Sequence, residues 1–132
     1  MNDNIECHDS WVVRITPSSS SVVVRFSPAY IHRSEGRPGF ARGSVWVQDI
    51  DLIISMGVIE STFAELPQEL DTGSLRVEGE VFEDLLPLPL DVQGAVRFSA
   101  RSIEGEYLLI QGDRATVVLV GEARYVESFP GN

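Results

Sequence analysis

The chain has 132 residues and a mass of 14.6 kDa, the size of one domain, and its 43% apolar and 23% charged residues exclude wholesale disorder. Its formal net charge of −10 comes from 20 acidic residues against 10 basic ones, all arginine, and that sign repels phosphate backbones and disfavours nucleic acid as a partner. Apolar runs stop at three or four residues, as in Val117-Val118-Leu119-Val120, far short of the roughly 20 that a membrane helix needs.

The acidic start, Met1-Asn2-Asp3-Asn4-Ile5-Glu6, has no apolar stretch behind it and does not read as a secretory leader, so a soluble cytoplasmic protein is expected. A single cysteine, Cys7, forms no internal disulfide and makes no zinc site by itself.

Alternation with period two dominates from there on. Trp11, Val13 and Ile15 lie on one side of a strand, with Val12, Arg14 and Thr16 on the other. After the turn at 17–20, Val22, Val24 and Phe26 alternate with Val23, Arg25 and Ser27, which predicts a hairpin. Residues 28–43 read as a long loop. The stretch 44–55 sets Trp46, Ile50, Leu52 and Ile54 against Val47, Asp49 and Asp51, with Gln48 interrupting the apolar side. Weaker strands are predicted over 57–64 and 74–82, around a polar loop at 67–73.

The clearest signal is Leu88, Leu90, Val92, Gly94, Val96, Phe98 and Ala100, a strand over 88–101 with a bend expected at Gly94. Glu104-Gly105 marks a hairpin into 106–111. Gly112-Asp113 marks a second hairpin into 115–120, and 123–129 reads as a last short strand.

No window gives a convincing apolar stripe at helical spacing. The expected architecture is a single all-β domain over residues 1–132, with about eight antiparallel strands closed as a barrel or stacked as a sandwich. The length of the 88–101 strand favours the barrel. In size and class the chain resembles lipocalin-like barrels, although Asp9-Ser10-Trp11 stands where that family carries Gly-x-Trp. Trp11, Val13, Ile15, Val22, Val24, Phe26, Leu90, Val92, Val96 and Phe98 are expected to share one interior.

The charge is uneven along the chain. Residues 14–42 carry five arginines and one acid, whereas 43–91 carry one arginine and eleven acids. Either the two segments neutralise each other across neighbouring strands, or one face offers a docking point to anions or to a second copy.

Within 28–43, Tyr30, His32, Arg33, Arg37 and Arg42 form the candidate ligand-binding set, with Phe40 and Trp46 as aromatic walls. Arginine forks beside aromatic rings suit a carboxylate, a phosphate or an acidic protein partner. Asp49 and Asp51 share one side of a strand, and so do Glu78 and Glu80, but the spacing of a calcium loop is missing, so no metal is expected. Cys7-His8-Asp9 holds a nucleophile, a base and an acid that adjacent positions point apart, so no catalytic residue and no cofactor is assigned.

The function expected is a non-catalytic binding or protein-interaction domain that contacts an anionic ligand or a protein through 28–43. The alternative is a small-molecule enzyme or carrier with a site in the barrel mouth near His32. A homodimer is expected, held by the apolar outer positions Val12, Val23, Leu109, Val118 and Val120.

Overall fold

A computed structural model describes residues 2–35 and 42–129 and is all-β, as the alternation requires. The strands are β1 (Asn2–Glu6), β2 (Trp11–Pro17), β3 (Ser21–Ser34), β4 (Gly43–Ser55), β5 (Val58–Ser61), β6 (Gln68–Val77), β7 (Glu80–Glu83), β8 (Leu85–Leu88), β9 (Asp91–Ser102) and β10 (Tyr107–Phe129). Among the described residues no helix is long and apolar enough to cross a membrane.

All pairings are antiparallel, and the strands β2, β6, β9, β10, β4 and β3 form a ring that closes through β2–β3. It is not a regular barrel. The β2–β6 ladder is two residue pairs long, and bulges interrupt the β2–β3, β3–β4, β6–β9, β9–β10 and β10–β4 ladders. Beyond the ring, the second half of β3 pairs with β1, which in turn pairs with β8.

The core lies inside the ring. Val22, Val24 and Phe26 of β3 face Ile54, Leu52 and Ile50 of β4, and Leu75, Val96, Phe98, Leu108, Ile110 and Ala115 are buried with them. Phe26 and Phe98 meet edge to face with centroids 6.4 Å apart. Leu90 is buried as expected, while Ile15 and Val92 are half-buried against the core.

Several expectations differ from the structure, and bulges account for those at Val12, 67–73 and Gly112. Val12, expected on the outer side, is fully buried. A one-residue bulge places both Val12 and Ile15 opposite core residues of β3 and leaves Trp11 and Val13 half-buried. Residues 28–34 belong to β3 rather than to a loop. The 67–73 loop is mostly strand β6, where a bulge between Leu70 and Thr72 disguises the alternation.

The expected strand at 88–101 is two strands, since Leu88 leaves the ring to pair with Asp3 of β1. Gly94 does carry a break, with φ of 122°. Gly112-Asp113 is no hairpin: β10 runs straight through it for 23 residues. The extra residue is on β9, where Gly94 and Ala95 stand against Asp113 alone.

Candidate functional site

The basic segment and the acidic segment meet across the β3–β4 ladder. Arg25 is opposite Asp51 and grips its carboxylate with Nε and with an NH2 group 3.0 Å away, while Ser27 Oγ donates to Asp49 at 2.7 Å. Glu78 accepts from the backbone N–H of Ala95. The paired carboxylates of the sequence therefore serve separate contacts, and among the described residues no group of three potential ligands is placed to hold a metal ion.

The predicted site residues fall on two faces. Tyr30 and His32 are two apart on β3 and share a face with Val45 and Val47 of β4. His32 Nε2 lies 2.7 Å from Glu6 Oε2, and this hydrogen bond raises the imidazole pKa above its ordinary value, with burial opposing and the charges of Glu6, Asp84 and Glu127 assisting. The backbone N–H of Tyr30 donates to the hydroxyl of buried Ser10, which itself donates to the Glu6 carbonyl.

Arg33 points to the opposite face. Its guanidinium stacks 4.6 Å over the Trp46 ring, and its Nε is 3.7 Å from the Asp3 carboxylate. Arg42 is exposed at the end of the β3–β4 hairpin, where its carbonyl accepts from the Glu35 N–H. Arg37 and Phe40 lie outside the described residues.

Trp46 ties Arg33 to the far end of β10. It meets Tyr125 edge to face with centroids 5.5 Å apart, and its Nε1–H donates to Ser44 Oγ at 2.8 Å. Trp46, Gln48 and Ile50 lie on one side of β4, so this cluster continues the face that is core elsewhere. Gln48, which broke the apolar pattern, is buried and donates its amide to the Gly121 carbonyl.

That face opens because β9 begins only at Asp91, opposite Thr116. Past the bond from Val117 N–H to the Leu90 carbonyl, β10 runs on with β4 on one side and, among the described residues, no strand on the other. Along this stretch Val118, Leu119, Tyr125 and Val126 are 48%, 51%, 56% and 45% exposed, with Leu119 on the side of Ile50 and Val118 on the side of Asp51. Sequence reasoning named Val118 as outward-facing but missed Leu119, Tyr125 and Val126, because an early end of β9 leaves no mark on β10 itself.

The remaining chemistry-bearing groups sit apart from this surface. Burial drives the Cys7 thiol far above its usual pKa, with help from the charges of Asp84 and Glu6. His8 is exposed and holds the Asp71 carbonyl at 2.9 Å. A cleft of about 350 Å³ lies over β6 and β9, lined by Ser74, Asp84, Ser99, Arg101 and Tyr107 among others, and His32 is not part of it.

No protein-family model, no curated protein and no solved structure matches the chain.

Proposed function

We propose that the chain is a non-catalytic protein-interaction domain whose contact surface is the second half of β10, backed by Trp46 and Arg33. The observation that carries this reading is the exposed apolar group Val118, Leu119, Tyr125 and Val126 along a strand edge with no neighbour among the described residues. Unpaired N–H and C=O groups flanked by apolar side chains are a template for another strand, and added main-chain hydrogen bonds give affinity while side chains give specificity. Tyrosine, tryptophan and arginine are also the residues that interfaces favour. Arg33 is already engaged by Asp3 and Trp46, which supports a protein surface over a cradle for a free anion.

A photoreactive benzophenone side chain in place of Val126 tests the reading, with the same group in place of exposed Ile103 as control. Irradiation in the cell of origin should attach a protein of defined mass at position 126 and not at 103. Equal labelling at both positions, or none at either, overturns the proposal.

A further inference from the structure

The outer face of β6 and β9 carries a feature independent of the β10 edge. Three residue pairs stand opposite each other there in regular register: Thr72 with Arg101, Ser74 with Ser99, and Arg76 with Arg97. Gly73, Leu75 and Val77 are buried, so positions 72, 74 and 76 share the outward side. Arg76 is the single arginine among residues 43–91, which hold eleven acids, yet it is set against another arginine. Among the described residues neither of these two guanidinium groups has a hydrogen-bonded or ion-paired partner, whereas Arg25, Arg33, Arg101 and Arg114 each pair with a carboxylate. Like charges directly opposite each other destabilise a sheet, and a chain with a net charge of −10 has acids to spare for such a place.

The two arginines border a cleft. A space of about 360 Å³ lined by Ser74, Arg76, Val81, Glu83, Arg97 and Ser99 adjoins the cleft of about 350 Å³ over the same strands, with Ser74, Glu83 and Ser99 common to both. Ser74 and Ser99 share one hydrogen bond of 2.9 Å, and whichever hydroxyl accepts it keeps its own O–H for a ligand. Beyond the serines the groove runs on to Thr72, Arg101 and the exposed ring of Tyr107.

We infer that Arg76 and Arg97 bind a phosphate dianion, free or as the end group of a small organic ester whose body lies along the serines towards Tyr107. The dianion matches the two positive charges. Two guanidinium forks offer N–H pairs from opposite strands, and the tetrahedral oxygens of phosphate accept from both. A carboxylate has two coplanar oxygens, which one fork already occupies. Glu83, opposite Ser74 on β7, is the one carboxylate among the described residues lining the arginine end, and its charge opposes the ligand.

Isothermal titration calorimetry at pH 8 and constant ionic strength tests the site with inorganic phosphate, phenyl phosphate and benzoate as probes. Both phosphates should bind, and benzoate should bind roughly ten-fold more weakly or worse. Tighter binding of phenyl phosphate than of inorganic phosphate identifies an ester as the ligand, and equal binding identifies the free ion.

Arg76→Gln and Arg97→Gln should each weaken phosphate binding by roughly ten-fold or more, the effect of losing charged hydrogen bonds. Arg14→Gln removes the same charge from an exposed position outside the cleft and should leave binding unchanged. Glu83→Gln should tighten it. Thermal melts in chloride check that each variant folds. Absence of binding by either phosphate at millimolar concentration overturns the inference. So does benzoate binding as tight as that of phosphate, or phosphate binding that responds to Arg14→Gln as much as to Arg76→Gln and Arg97→Gln.

Discussion

The two halves of β10 obey opposite rules. From Tyr107 to Thr116 the strand has β9 on one edge, with β5 and then β4 on the other, and Leu108, Ile110 and Ala115 are fully buried. From Val118 onward it keeps, among the described residues, β4 alone, and Val118, Leu119, Tyr125 and Val126 stand about half in water. The side-chain chemistry of the two halves is alike, with leucine, tyrosine and a β-branched aliphatic residue in each. Burial here is therefore set by where the neighbouring strand begins. A strand pattern tells which side chains share a face, and topology decides whether that face is core or contact surface.

The sharpest way to break the closed half is Phe98→Ala. Phe98 is fully buried and packs on Phe26, so its removal should cost roughly 3–5 kcal/mol in a urea titration. An equivalent truncation in the open half, Val126→Ala, should change monomer stability by about 0.5 kcal/mol or less, as exposed positions do. Comparable losses at the two sites would erase the distinction.

Gly112→Ala should be the next largest effect. A Cβ at that position would collide with the carbonyl of Ser55 and the side chain of Ile54, beside the bulge of β9. Forcing the strands apart should cost roughly 1–3 kcal/mol, read from the same titration. An unchanged midpoint would mean that the two strands do not approach so closely.

A smaller effect separates the strands outside the ring, where His32 bonds Glu6 of β1. Its raised pKa means that the folded protein holds this proton more tightly than the unfolded chain does. The bond's contribution is fully present below the ordinary histidine value of 6.5 and is lost as pH rises through the folded value. His8 and Asp84 are shifted in the same direction, so the wild-type trend alone does not isolate His32. The difference in Tm between wild type and His32→Gln should therefore be largest near pH 5.5 and shrink towards pH 9. A difference that is constant with pH would show that the imidazole contributes packing alone.

Much of the closed half could be read from the chain. Alternation placed Phe26 and Phe98 in the core, and it put Ile50, Leu52 and Ile54 on one apolar side, which is buried with them. It failed where one extra residue shifts the register, as beside Val12, because a bulge reverses the faces without changing the residue types. Gly112-Asp113 looked like a hairpin turn because glycine followed by aspartate is common in turns, yet here glycine serves a close approach of backbones. Arg33 beside Trp46 was visible as composition. That Arg33 and His32 point to opposite faces followed only once 28–34 was seen to be strand.

The contrast within β10 is tested most directly by residue-resolved amide hydrogen exchange in a dilute sample. The account predicts that amides of 108–116 exchange slowly, because both edges of that half are paired. Amides of 118–128 that turn away from β4 should exchange rapidly. Uniform protection along all of β10 would contradict the account.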